Sequence, residues 1–105
     1  MKIDNSKEYI ICSAIWYPTL DTDIHNPKNI KTGMVVCGRR HHNVISVMAK
    51  LGVRTATANH TQGFMTSHNR FLDREESAKL AIEIKQIERT PDQEEIPTLV
   101  SEELY

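Results

Sequence analysis

Gly38-Arg39-Arg40-His41-His42-Asn43 is the densest run of chemically capable side chains in this chain. Two guanidinium groups and two imidazoles follow a glycine that permits close approach of the backbone. Beyond them the pattern turns helical. Val44, Val47, Met48 and Leu51 fall at i, i+3, i+4 and i+7, and Gly52 is a stop signal. The run therefore sits at a helix N-terminus, where about four backbone N–H groups lack partners and the macrodipole adds fractional positive charge. Cationic side chains are disfavoured at such a place. A phosphate resolves the conflict, because amides and guanidinium forks both donate to its oxygens. The competing reading leaves Arg39 and Arg40 solvated and packs one imidazole inside as a satisfied polar group.

A second constellation runs from Gln62 to Phe71 (Gln62-Gly63-Phe64-Met65-Thr66-Ser67-His68-Asn69-Arg70-Phe71). Amide, hydroxyl, guanidinium and aromatic groups alternate there, which suits stacking on a base and bonding its edge. Gly63 removes a side chain where something approaches. The plainer reading makes Phe64 and Phe71 core and Asn69-Arg70 a hairpin tip. Both constellations lie in a 49-residue stretch between Asp23 and Asp73 that contains no Asp or Glu. It holds seven of the thirteen Lys and Arg and all five His, whereas residues 73–105 carry ten acids against four bases. With no carboxylate nearby in sequence, the expected partner of the basic middle is a small, phosphate-rich anion.

Metal binding and catalysis are less well supported. His25, His41, His42, His60 and His68 match no common ligand spacing, and there is neither an H-E-x-x-H nor a C-x-x-C. Cys12 and Cys37 lie in apolar runs and read as two buried free thiols. Neighbouring His41 and His42 point different ways on a helix or strand, and no acid close in sequence orients either ring. Binding is favoured over catalysis. A nucleotide hydrolase using His41 or His42 and a single-stranded nucleic-acid module stay open as alternatives.

The elements that must position these residues can be read from periodicity. Residues 9–16 form an apolar strand, 18–31 a loop with two prolines, and 32–37 a second strand. A helix covers about 41–51. Residues 53–58 are β-prone and predict a short strand, followed by strands at 60–66 and 70–72. Asp73 begins a second helix as an N-cap with Glu76 at the third position, and the stripe Leu80, Ala81, Ile84, Ile87 carries it to near Arg89, before Pro91. The acidic tail, 91–105, holds Leu99, Val100, Leu104 and Tyr105 for docking. The expected fold class is α+β, one domain over residues 1–105, with a small mostly antiparallel sheet and two helices. A core this small favours an intertwined dimer or higher oligomer. The net charge of −1 argues against a duplex-DNA binder. No apolar run approaches the roughly 18 residues of a membrane span, and residues 1–8 lack the apolar segment of a signal peptide.

Three segments carry a family resemblance. Lys31-Thr32-Gly33-Met34-Val35-Val36-Cys37-Gly38-Arg39-Arg40-His41-His42-Asn43 resembles a run in small phage proteins. Gln62 to Phe71, followed by Asp73-Arg74-Glu75-Glu76-Ser77-Ala78, looks like a second run in the same proteins, and Ser101-Glu102-Glu103-Leu104-Tyr105 is similar to their common ending. On these segments the chain resembles the Thoeris anti-defence 1 family, phage-encoded signal sponges. The resemblance implies capture, without catalysis or cofactor, of a cyclic ADP-ribose isomer made by bacterial TIR-domain enzymes in the cytoplasm of the infected host. It implies pockets between the protomers of a dimer. In some members it also implies a hexamer with a separate site for cyclic trinucleotides of CBASS. Carried onto this sequence, Arg39 and Arg40 match the pyrophosphate. Phe64, Phe71 or Trp16 stack the adenine, and Gln62, Thr66 and Asn69 bond ribose hydroxyls or the base edge. His41, His42 and Arg70 complete the expected ligand-binding set.

Overall fold

The computed structural model describes residues 6–20, 26–87, 89 and 98–104. The chain is α+β. Strands β1 (Ile10–Tyr17) and β2 (Met34–Gly38) lead into helix α1 (His41–Lys50). Strands β3 (Thr61–Thr66) and β4 (Phe71–Asp73) lead into helix α2 (Arg74–Glu83), and a 3-10 turn spans Ser101–Glu103. The four strands form one antiparallel sheet in the order β2-β1-β3-β4. Residues 21–25, with His25, residues 91–97 of the expected tail, and Tyr105 lie outside the described residues.

Both faces of β1 are apolar because both are used. Ile15 and Tyr17 point to one face and pack with Val44 and Met48 of α1. On the same face Ile10 and Phe64 pack with Ala78 and Ala81 of α2, and with Ile87 and Leu99. Tyr17 and Phe64 keep no exposed surface, and burying each contributes about 2–3 kcal/mol. The opposite face gathers Ala14, Met65 and Phe71, with Cys12, Trp16, Ile30 and Val35 against them. Two free thiols are present, as expected, but neither is deeply buried: Cys12 is intermediate and Cys37 exposed. They lie on the sheet face opposite the two helices, and Cys37 is on an edge strand.

Three expected elements differ. Residues 53–58 form turns, not a strand: the amides of Thr57 and Ala58 both donate to Arg54 O, at 3.1 and 3.0 Å. Thr55 is held instead by its side chain, whose Oγ1 is 2.8 Å from the Tyr17 hydroxyl. The α1 stripe is narrower than its pattern, because Val44 and Met48 are buried while Val47 and Leu51 are 52% and 72% exposed. Helix α2 stops at Glu83, well before Arg89. Lys85 adopts φ 59°, its N–H donates to Ile82 O at 3.1 Å, and the Gln86 N–H reaches back to Ala81 O at 2.8 Å. This is a Schellman closure with lysine where glycine is usual. Gln86 is then anchored to the sheet: its Nε2 donates to Ile10 O at 2.6 Å, and its Oε1 accepts from Ile10 N at 2.9 Å.

Candidate anion site where the two helices begin

Sheet register brings the two helix starts together. Gly38 at the end of β2 lies opposite Ser13, and Ser13 lies opposite Phe64. Asp73 at the end of β4 lies opposite the adjacent Gly63. Both helices therefore begin over the middle of the sheet. They run apart, α1 toward Tyr17 and α2 toward Ile10. Their first residues touch. Arg74 Nη2 donates to Gln62 Oε1 at 2.6 Å and lies 3.5 Å from His41 Nδ1.

His41 is the imidazole that packs inside. Its Nε2 is 2.7 Å from Gly63 O, so the proton sits on Nε2 and Nδ1 is left to accept from Arg74. The ring meets Phe64 edge-on, with centroids 5.0 Å apart. Burial, reinforced by the Arg74 charge, pushes the imidazole below its ordinary pKa, although the Gly63 carbonyl opposes the shift. His41 is therefore a neutral strut between the sheet and α2.

The charge balance at the two helix starts is unequal. Helix α2 is capped as the sequence predicts: Asp73 Oδ1 accepts from Glu76 N at 2.8 Å, and Glu76 Oε1 accepts from Asp73 N at 3.2 Å. Helix α1 has Arg40 as N-cap and no acid in its first turn. Arginine has no side-chain acceptor, so it cannot cap an amide; instead its own N–H donates to Asn43 Oδ1 at 3.1 Å. Arg40 Nη1 lies 3.5 Å from Glu102 Oε1, a carboxylate whose side chain is 71% exposed. Such a surface pair contributes less than about 1 kcal/mol, so Glu102 is an exchangeable partner. Arg39 is exposed, and no ion pair holds it among the described residues; its carbonyl accepts from Ser13 Oγ at 3.0 Å. Arg74 Nε is buried without a hydrogen-bond partner, an arrangement that costs about 1–3 kcal/mol and more for a charged group. Arg40 at the start of α1 and Arg74 at the start of α2 thus flank His41, the first next to it in sequence and the second 3.5 Å from its Nδ1.

The remaining candidates are distributed elsewhere. Arg70 grips Glu8 with both arms, Nε to Oε2 at 2.8 Å and Nη2 to Oε1 at 2.6 Å. The Thr66 hydroxyl donates to the same carboxylate. These donors, led by Arg70, hold Glu8 down at about 2 despite its desolvation. Arg70 and Thr66 therefore already serve an internal ion pair. Asn69 takes the left-handed position of the β3–β4 turn, φ 58°. Phe64 is fully buried and Phe71 keeps 5% of its surface, so neither offers a base a free ring face. Trp16 is half-buried on the far side of the sheet, 6.5 Å from Phe71, and its Nε1 donates to Thr32 O at 2.8 Å. His42 is exposed at the start of α1. What approaches Gly63 is protein: a Cβ there would fall 2.0 Å from Leu72 O.

The structure thus brings His41 and Phe64 together and links Gln62 to them through Arg74, with Arg40 next to His41 in sequence and paired to Glu102. It places Thr66, Asn69 and Arg70 at the turn, and Trp16 and Phe71 on the opposite face. Arg74 was missed by sequence reasoning. One signal for it existed: Arg74, like Arg40, stands at the junction of a strand and a helix. Glu8 and Glu102 were missed because both come from outside the acid-free stretch. Among the described residues no group of three or more His, Cys, Asp or Glu is placed to hold a metal, and no helix is long and apolar enough to cross a membrane.

No curated protein and no solved structure matches the chain. A family model described as phage T4 y16D protein matches residues 9–105, a span that includes both helix starts, the sheet and the docked tail. The chain belongs to the phage T4 y16D protein family.

Proposed function

We propose that this chain is a non-catalytic sponge for a cyclic ADP-ribose isomer made by bacterial TIR-domain enzymes, and that it blocks Thoeris immunity by holding the signal intact. The observation that carries the reading is the meeting of the uncapped start of α1 with Arg40 and with Arg74, whose Nε is buried without a partner. A pyrophosphate supplies acceptors for the uncapped amides of α1 and exchanges with the weak surface pair of Arg40 and Glu102. Family membership adds the phage setting, and capture of a host signal is a use a phage has for such a site. Both ring nitrogens of His41 are engaged, which favours binding over turnover through that residue. Buried Phe64 and Phe71 leave few faces for stacking a strand of bases, which disfavours the single-stranded nucleic-acid reading.

The same burial supports an assembly. Nanomolar capture corresponds to about −12 kcal/mol, and a charged hydrogen bond contributes about 1.5–3 kcal/mol. Several donors and an adenine platform must therefore converge. In one chain Arg40 and Arg74, at the helix starts, and the half-buried Trp16 ring lie on opposite faces of the sheet. Two copies can bring such groups to one ligand where one copy cannot, so the pocket closes between protomers. Native mass spectrometry with a panel of cyclic ADP-ribose isomers and cyclic trinucleotides reads subunit number and stoichiometry together. The protein is also loaded, freed of unbound ligand and heat-denatured. Release of the intact isomer is the expected result. Recovery of a hydrolysed product supports the hydrolase instead, and failure of every isomer to bind contradicts the sponge.

A further inference from the structure

Cys12 and Cys37 take no part in the anion site. Strands β1 and β2 pair with Ala14 opposite Cys37. Cys12, two residues back along β1, therefore points to the same face and lies one diagonal step from Cys37. The two side chains are within hydrogen-bonding reach of each other, and both are free thiols. Two features favour closure of the pair. The β1–β3 register shifts between Ile10 and Cys12, an irregularity that raises local twist. Strand β2 stands at the edge of the sheet, so a small shift of its backbone disturbs one ladder only.

We propose that Cys12 and Cys37 form a reversible dithiol–disulfide site, closed by a small disulfide such as oxidised glutathione, which staples β2 to β1 beside the loop that carries Arg39 and Arg40. Cys12 is the attacking sulfur. The Cys37 S–H donates to it and brings its pKa down to about 7, despite the opposing effect of burial. A thiol whose pKa is lowered in this way attacks a disulfide faster near neutral pH than an ordinary thiol. The Cys12 thiolate bonds to one sulfur of oxidised glutathione and expels a glutathione thiolate, which takes a proton from water. Cys37 is held protonated chiefly by its hydrogen bond to Cys12 and by burial, with the Cys12 charge adding to both. Once Cys12 is in a mixed disulfide, that charge is gone. Cys37 then loses its proton to solvent, attacks Cys12 Sγ and expels the second glutathione thiolate. The balance is two protein thiols and one oxidised glutathione giving one protein disulfide and two reduced glutathiones. Ser13 Oγ already ties the Arg39 carbonyl to β1; the staple adds a covalent tie two residues earlier.

The test exposes folded, fully reduced protein to oxidised glutathione at neutral pH, quenches with acid and measures intact mass. The expected result is loss of two hydrogens, no alkylatable thiol, a Cys12–Cys37 cross-linked peptide and no covalent dimer on a non-reducing gel, all reversed by dithiothreitol. Cys37→Ser keeps a hydroxyl donor and is expected to stop at one glutathione on Cys12; Cys12→Ser is expected to react several-fold more slowly. Two glutathiones on the wild-type chain, an interchain disulfide, or two thiols still alkylatable overturns the proposal, and this wild-type arm does not depend on either variant folding.

Discussion

Arg74 joins the two helix starts through one nitrogen, Nη2, which serves both Gln62 and His41, and leaves Nε buried without a partner. Arg74→Lys keeps the charge, loses the fork that holds Gln62 and His41, and is expected to weaken capture of the cyclic isomer by roughly 10-fold, read by calorimetric titration. Arg40→Ala is expected to weaken capture by about 2 kcal/mol, read by calorimetric titration. The side chains also set the response to acid. His41 has a lowered pKa in the fold, so the unfolded chain takes up a proton that the folded chain refuses. Stability is therefore full above about 6.5, the ordinary imidazole value, and falls as pH drops through it. Glu8, held near 2 by Arg70, contributes fully above the ordinary 4.5, and that contribution is lost as pH falls toward 2. Denaturation midpoints measured across pH 3–8 are expected to fall in these two steps, with His41→Asn removing the upper and Glu8→Gln reducing the lower. At this scale the cluster at Arg39 and Arg40 was legible, because a cation at a helix start is a local conflict. What Arg70 and Arg40 actually meet was not. An acid-free stretch of sequence is not acid-free in space, and Glu8 and Glu102 reach them from 62 residues away in each case (Arg70 less Glu8, Glu102 less Arg40).

The elements themselves follow from periodicity and caps. Asp73 with Glu76 announces α2 at its true start, and Gly38 with the changed period after it announces α1. The end of α2 was not legible. Lys85 makes the left-handed turn without glycine, and its reason is the distant bond pair between Gln86 and Ile10. Lys85→Gly is expected to stabilise the chain by about 1 kcal/mol, seen as a rise in denaturation midpoint. Gly63→Ala is expected to cost about 3 kcal/mol or more, because the new Cβ strikes the β4 backbone rather than a flexible side chain. The tail is an element too. Leu99 is fully buried, its N–H donates to Arg74 O at 3.0 Å, and Arg89 clamps Glu103 at 2.9 Å through each of two nitrogens. Leu99→Ala is expected to cost about 2–5 kcal/mol and to loosen the segment that presents Glu102.

At the scale of the molecule, the sheet divides two kinds of chemistry. One face carries both helices, with Arg40 and Arg74 at their starts; the other carries Trp16, Phe71 and the thiol pair. The α+β architecture and the antiparallel sheet were legible from alternation and turn residues. The grouping of the site was not, because alternation assigns faces only when register is known: Gln62 joins Arg74, while Thr66 and Arg70 turn away to Glu8. The most direct measurement of the central claim is amide chemical-shift mapping of nitrogen-15-labelled protein titrated with a cyclic ADP-ribose isomer. The predicted result is that the largest changes fall on residues 39–43, Gln62 and Arg74. Changes centred instead on residues 66–70, or on no part of the start of either helix, would contradict the account.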